Sequence, residues 1–419
     1  MNMLHCPDMA RKNNVITDSK RIDELLSRGT AQVVQTEHLK KLLASGKPLR
    51  IKYGIDPTGE NIHIGHAIPI LKLRDFQELG HTVVLIIGDA TATVGDTSDK
   101  ESERPMLSAK DVKKNEKTYL KQIGTLIDLE KTEVHHNSRW LNKLTFAELA
   151  DEANQFSVAD FIARDNIKRR LDKGSRVSLR EMLYPLMQGY DSVAIKADVE
   201  LGGVDQWFNL LSGRALQAHH KQEPQDIITM KLLTAGDGKK MSKSLGNTIN
   251  LLDSADDMFG KTMRLGDSVI IDCFELCTRV SLDQVRAYSA RLNAGENPKS
   301  IKEDLAEALV TMYKGAKAAK QARERFNTLF SKKEVGAEDL VDVAVDGDVT
   351  LEDIIETHKL SPSRSEFRRL VMGGGVRDLE TGEKITDPKH RIIVPINIKL
   401  GKRQFIRIII KRKKKDDTK

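Results

Sequence analysis

Two short stretches hold residues whose types and spacing suit phosphate chemistry. His63-Ile64-Gly65-His66 follows a strand-like segment and a turn, and it opens a helical pattern. A helix N-terminus presents free N–H groups and a partial positive charge, both favourable to phosphate. Two histidines three residues apart could hydrogen-bond phosphate oxygens, ligate a metal, or stand only as polar residues at a helix start. Gly65 removes a side chain where a nucleotide ring could press against the backbone. The second stretch is Lys239-Lys240-Met241-Ser242-Lys243-Ser244-Leu245-Gly246-Asn247, preceded by Gly236-Asp237-Gly238. Lys240 and Lys243 on such a loop could close over a triphosphate and hold it most tightly as charge develops on leaving pyrophosphate. An exposed charged loop is the plainer alternative.

The elements that would position these groups read as α/β. Arg50 to Ile55 is strand-like and ends in the turn Asp56-Pro57-Thr58-Gly59. From His63 to Leu79 the apolar residues Ile64, Ile68, Leu71 and Phe76 recur at helical spacing. Val83 to Ile87 is a continuous apolar run, rich in β-branched residues, as in a parallel strand buried on both faces. Strand, helix and strand make a right-handed βαβ unit and imply an open parallel sheet. Ligands then sit beyond the carboxyl ends of the strands, so the loops starting at Asp56, Gly88 and Gly202 are the candidates.

Leu126 to Lys196 is helix-rich, with few strand signals, and reads as an insertion. Within it, a helix over Leu183 to Val193 would place Tyr184, Gln188 and Asp191 on one face, at i, i+4 and i+7. That polar stripe is either a solvated face or a ligand face. Ala255 to Lys333 is helical throughout. Val335 to Asp348 is acidic and apolar without a clear period, and reads as a linker before a small final domain.

With 419 residues the chain should hold two or three domains. At 39% apolar and 31% charged residues it has the composition of a soluble globular protein. Neither a signal peptide nor an apolar run long enough to span a membrane is evident. Cys6, Cys273 and Cys277 form no paired metal motif, and a reducing cytoplasm is expected. A net charge of +7 suggests a polyanionic partner. Basic charge is densest at the end, in Lys402, Arg403, Arg407 and Lys411 to Lys415, a tail that either solubilises or touches RNA.

The strand–turn–HIGH element on the first βαβ unit and a KMSKS loop after the sheet form the signature pair of class I aminoacyl-tRNA synthetases, which the chain resembles. Small nucleotidyltransferases share the first motif but lack the second. From about Leu49 to Ile410 the chain is similar to the tyrosyl family, in its bacterial branch with an intact KMSKS. The resemblance is carried by Gly54-Ile55-Asp56-Pro57-Thr58, Ile87-Gly88-Asp89 with Gly95-Asp96, Leu183 to Asp191, and Asp198 to Gln206.

That resemblance implies a Rossmann-like catalytic domain (49–254) with a helical insertion (about 126–196), after an N-terminal helical segment (1–48). An α-helical tRNA-binding domain (255–334), a linker (335–349), a small α+β RNA-binding domain (350–411) and a basic tail (412–419) would follow. The reaction implied is activation of tyrosine by ATP, then transfer of the tyrosyl group to tRNA(Tyr). By the family's pattern Asp191 accepts the hydrogen bond of the substrate phenol. Tyr184, Gln188 and Asp96 hold its ammonium group, Gln206 lies near its carboxylate, and Asp56 also lines the tyrosine site.

Asp205 would lie near the ATP ribose, with His63, Gly65, His66, Met241, Ser242 and Lys243 also around ATP. Thr58, Lys100 and Arg104 would meet the leaving phosphates together with His63, His66, Lys240 and Lys243. Lys100 and Arg104 also read as an exposed, salt-bridged loop. Mg²⁺ would accompany the ATP, with no protein-bound metal expected. Another branch of the family has a phenol-contacting tyrosine at the position that is Lys52 here.

Leu360 to Leu370 holds a capping box, Ser363 with Glu366, and ends at Gly373-Gly374-Gly375. The segment resembles the RNA-binding domain named after ribosomal protein S-four, with Arg364, Arg368 and Arg369 as the implied phosphate contacts. A homodimer joined through the helical insertion is also implied. The alternatives are a tryptophanyl-tRNA synthetase and a non-catalytic RNA-binding protein that retains the fold.

Overall fold

The apolar run that begins at Val83 is buried along its length, with Val83 to Ile87 each at 0% exposure, as a strand covered on both faces must be. It belongs to a six-stranded sheet of β1 (Thr30–Val34), β2 (Arg50–Ile55), β3 (Thr82–Ile87), β4 (Thr132–His136), β5 (Val199–Gly203) and β6 (Asp226–Met230). Their order is β1-β6-β5-β2-β3-β4. Neighbours are parallel except β1, which runs antiparallel to β6. The order reverses between β2 and β5, and open α/β sheets bind ligands at that point, outside the carboxyl ends of the strands.

The computed structural model describes residues 15–98, 107–233, 248–331, 340–346, 349–401 and 404–411. The chain divides into two compact units, residues 1–322 and 323–419. In the first, α1 (Ser19–Ser27) and α2 (Thr36–Ala44) flank β1, and α3 (Ile64–Glu78) joins β2 to β3. Between β3 and β4 lie α4 (Thr91–Val94) and α5 (Ala109–Ile123). The segment from β4 to β5 holds α6 (Ser138–Leu141), α7 (Phe146–Ala153), α8 (Val158–Ile162), α9 (Asp165–Asp172) and α10 (Leu179–Ile195). After β5, α11 (Trp207–His219) leads to β6.

A capping box starts α10: Ser178 and Glu181 satisfy each other's backbone N–H groups. Gly189 lets α10 approach α11 closely, since a Cβ there would stand 3.0 Å from the Ser212 carbonyl carbon. Beyond the sheet come α12 (Ala255–Met263), α13 (Ile270–Cys277), α14 (Leu282–Asn293), α15 (Pro298–Lys314) and α16 (Ala316–Ser331). Cys273 and Cys277 are buried free thiols on α13. Among the described residues, no helix is long and apolar enough to cross a membrane.

Three strands lie where the sequence suggested none. β1 falls in the segment expected to be helical. It is five residues long, too short to show a period, and it closes one edge of the sheet. β4 falls inside the expected insertion. Its sequence, Thr-Glu-Val-His-His, has one apolar residue, because all five positions of this edge strand are only half-buried. In the second unit, β7 (Val341–Asp346) occupies the expected linker, and its Val343 and Val345 alternate inward.

The rest of the second unit comprises β8 (Val349–Thr350), α17 (Leu351–Thr357), α18 (Arg364–Met372), β9 (Val376–Asp378), β10 (Arg391–Ile392), β11 (Ile396–Leu400) and β12 (Gln404–Lys411). A four-stranded sheet runs β7-β12-β11-β9, with β7 parallel to β12. Its core includes Leu351, Ile354, Phe367, Val371, Ile398 and Ile406. Ser363 caps α18 by accepting from the Glu366 N–H, one half of the expected capping box.

Candidate active site

α3 begins where β2 has delivered the chain to the carboxyl end of the sheet. His63 is its N-cap, and its Nδ1 accepts from the Gly65 N–H at 3.1 Å. A neutral imidazole bonded in this way carries its proton on Nε2, where it can donate. The His66 ring stacks on His63, with centroids 3.8 Å apart. Together with Gly65 they line one side of a cavity of about 260 Å³. The loops at Asp56, Gly88 and Gly202 all open onto it, with Thr58, Asp96, Tyr184, Gln188, Asp191, Asp205 and Gln206.

The opposite side is a connected polar network. Tyr184 donates to Asp56 Oδ2 at 3.0 Å, and Thr91 Oγ1 donates to Asp56 Oδ1 at 2.7 Å. Gly88 makes room for this: a Cβ there would fall 2.0 Å from Asp56 Oδ1. Asn137 Nδ2 reaches both Thr91 Oγ1, at 3.0 Å, and Asp191 Oδ2, at 3.2 Å. Trp140 Nε1 donates to Asp191 Oδ1 at 2.7 Å.

Asp191 is 3% exposed. Burial pushes its carboxyl up to about 7, against the opposing influence of Lys52 and of the Trp140 and Asn137 hydrogen bonds. Enclosure likewise pushes Asp56 up to about 7, with Asp96 and Asp191 adding repulsion. Burial first, then the same carboxylates, hold the Tyr184 phenol well above its usual range, so it stays a donor.

Lys52 does not reach the cavity as a free cation. It is fully buried beneath α10, with Nζ 2.9 Å from Glu200 Oε1, 2.8 Å from the Gln188 carbonyl oxygen and 2.7 Å from Ser192 Oγ. Gln188 Nε2 in turn donates to Glu200 Oε1 at 3.1 Å. At the far wall, Gln206 Nε2 donates to Asp96 Oδ2 at 2.7 Å, and Ser98 holds Asp96 Oδ1.

The tyrosine-site candidates therefore converge on one cavity with His63, Gly65, His66, Thr58 and Asp205. Lys100, Arg104, Lys240, Met241, Ser242 and Lys243 lie outside the described residues. Arg364 and Arg368, on the exposed face of α18, pair with Glu356 and Glu352, and Arg369 is exposed. Sequence reasoning missed Thr91, Asn137, Trp140 and the Glu200–Lys52 pair. Asn137 and Trp140 follow the unrecognised β4, so their place at the carboxyl end of a strand was hidden. Among the described residues, one group of metal-type donors stands elsewhere: ligand atoms of Glu152, His219 and His220 lie within 4.8 Å of one another. His219 is bonded to Asp151 at 2.9 Å and His220 to Glu152 at 2.6 Å, and these bonds account for the grouping.

Comparison with known proteins gives the family. A family model, class I tRNA synthetases (W and Y), matches residues 44–331. A tyrosine–tRNA ligase of Oleidesulfovibrio alaskensis is 43% identical, over 92% of this chain and 97% of its own. One from Carboxydothermus hydrogenoformans is 41% identical, over 95% of this chain and 100% of its own. The chain belongs to the tyrosine–tRNA ligase family. Members of that family are class I enzymes that use ATP as a substrate. Among solved structures, a truncated mitochondrial tyrosyl-tRNA synthetase of Aspergillus nidulans matches with a TM-score of 0.62 at 22% identity, covering 74% of this chain and 94% of its own. The Archaeoglobus fulgidus tyrosyl-tRNA synthetase complexed with L-tyrosine matches with a TM-score of 0.57 at 20% identity, covering 72% of this chain and 99% of its own. At these identities the likeness concerns the fold: a Rossmann-like parallel sheet with its helical insertion.

Proposed function

We propose that this chain activates L-tyrosine with ATP and transfers the tyrosyl group to tRNA(Tyr), using the cavity between β2 and β5 as its active site. The observation that carries the choice of tyrosine is the buried carboxylate of Asp191, which lines the cavity beside Tyr184 and Gln188. Each oxygen of an ionised carboxylate has two lone-pair sites. Trp140 and Asn137 use one on each oxygen, which leaves acceptor capacity for a phenol hydroxyl. Phenylalanine would leave that buried acceptor unanswered, a penalty borne only by the wrong substrate.

The ammonium group lies among Asp96, the Gln188 amide oxygen and the Tyr184 hydroxyl, with Asp56 behind, and Gln206 faces the carboxylate. A tyrosine carboxylate oxygen then attacks the α-phosphorus of ATP. The bond to pyrophosphate breaks, and tyrosyl-adenylate forms. In the second step a hydroxyl of the terminal tRNA ribose takes the acyl group and AMP leaves.

No general base is needed for the first step; positioning and charge stabilisation supply the rate. His63 and His66, at the start of α3, meet the phosphates with Thr58. Asp205 takes the ribose, and Gly65 clears space for the nucleotide. Lys240, Lys243, Lys100 and Arg104 supply the cations for pyrophosphate, with Met241 and Ser242 also against ATP. Mg²⁺ arrives with the nucleotide.

We assign the helices after residue 254, and Arg364, Arg368 and Arg369 of the S-four-like unit, to tRNA. The enzyme works as a cytoplasmic homodimer. Phe146 (89% exposed), Val158 (74%) and Leu179 (85%) on the insertion support that pairing. The reading is tested by ATP–pyrophosphate exchange with each amino acid in turn. Tyrosine should support exchange and the others should not. Exchange driven by tryptophan instead, or RNA binding without any exchange, would contradict it.

A further inference from the structure

Lys52 and Glu200 are register partners on the adjacent parallel strands β2 and β5, so their side chains leave the same face of the sheet, beneath α10. Both are buried, at 0% and 1% exposure. Such residues are almost never fully buried unless paired. The pair does more than neutralise itself. Lys52 Nζ grips α10 at the Gln188 carbonyl and at Ser192 Oγ, the two positions that bracket Asp191. Glu200 Oε1 accepts from the Gln188 side chain, while Oε2 accepts from Ser192 Oγ at 3.2 Å and from Gln225 Nε2.

We infer that Lys52 is a positioning residue for tyrosine recognition: directly and together with Glu200 it fixes the rotation of α10, and with it the aim of both Asp191 and Gln188 into the cavity. The inference rests on the reading of Asp191 as the phenol acceptor. It gives Lys52 a role from below the site, without contact to the substrate. Asp191 keeps its aim because α10 is held from beneath by Lys52, while Trp140 and Asn137 donate to the carboxylate itself. Misplacing such a constellation by about 1 Å is enough for losses of one to two orders of magnitude.

The test compares Lys52→Met, Glu200→Gln and the double variant as full-length enzymes, by thermal denaturation and by exchange driven by tyrosine and by phenylalanine. Lys52→Met alone leaves a buried carboxylate unpaired and should be markedly less stable. The double variant should recover most of that stability. It should still show a KM for tyrosine raised about tenfold and a narrowed tyrosine-to-phenylalanine ratio, with the KM for ATP within about twofold of wild type. A wild-type KM and ratio in the double variant, or equal losses for tyrosine and ATP, would reduce the pair to a stabilising element and overturn the inference. Asp191→Asn, run in parallel, separates the two claims. If it leaves the ratio intact, the phenol reading fails. If it lowers the ratio and the double variant does not, only the role of Lys52 fails.

Discussion

The two ends of the cavity are built on opposite plans. At the end proposed for tyrosine, Tyr184, Asp56, Thr91, Asn137, Asp191 and Trp140 already form a continuous hydrogen-bonded chain among themselves. At the end proposed for phosphate, the described residues offer a helix N-terminus, two stacked histidines and Thr58, and the proposed cations come from Lys100, Arg104, Lys240 and Lys243. The first plan suits selection, because a preformed buried acceptor penalises the wrong ligand before any chemistry. The second suits catalysis, because cations meeting charge that develops on pyrophosphate stabilise the transition state more than the ground state. Substitutions at the two ends should therefore separate in kinetics.

The largest effect is expected from Lys240→Ala with Lys243→Ala. Loss of one transition-state donor typically costs about 10²- to 10³-fold in kcat. The double variant should lose at least that much in pre-steady-state adenylate formation, with tyrosine affinity by equilibrium binding nearly unchanged. An equal loss of tyrosine affinity would erase the contrast between the ends. Trp140→Phe is expected to be smaller and opposite in kind. It removes one donor to Asp191, worth about 1.5–3 kcal/mol when the partner is charged. The KM for tyrosine should rise about tenfold or more while the KM for ATP holds.

The pH dependence should fall on the tyrosine end as well. Burial raises both Asp56 and Asp191 to about 7, and Asp191 is faced by Lys52, Glu200, Asp56 and Tyr184. Below pH 7 these carboxyls take up protons and lose their anionic acceptors. In the free enzyme, kcat/KM for tyrosine should therefore fall between pH 8 and pH 6, with kcat/KM for ATP flatter. Stability runs the other way. A group held above its unfolded value of 3.8 contributes stability that is present below about pH 4 and lost as pH rises to about 7. Titration followed by tyrosine binding and by thermal denaturation should show the two opposite slopes. The smallest effect is expected in the second unit. Arg369→Ala should leave exchange untouched and raise the KM for tRNA only about twofold, as one exposed phosphate contact would.

Much of the cavity was legible because its chemistry is carried by short motifs on strongly periodic elements. α3 could be read from apolar spacing, β3 from its continuous apolar run and β2 from its strand-like stretch before a turn, and the i, i+4, i+7 stripe on α10 placed Tyr184, Gln188 and Asp191 together. The missed elements share a physical cause. β1 and β4 are edge strands of only five residues, β4 with a single apolar one, so neither produced a two-residue period. Missing β4 concealed Asn137 and Trp140, which hold Asp191 in place. Lys52 stood out as an irregular residue at its position, but its partner could not be named, because pairing with Glu200 depends on two strands separated by nearly 150 residues. β7 differs in that valine does alternate along it, but the six residues sit in a longer acidic stretch without a clear period, which read as a linker.

The claim on which the account depends is that Asp191 selects tyrosine. It is tested most directly by the ratio of kcat/KM for tyrosine to that for phenylalanine in ATP–pyrophosphate exchange, measured for the wild type and for Asp191→Asn. The account expects the ratio to fall by about tenfold to a hundredfold, mostly through loss of tyrosine. An unchanged ratio in a folded Asp191→Asn enzyme would contradict it.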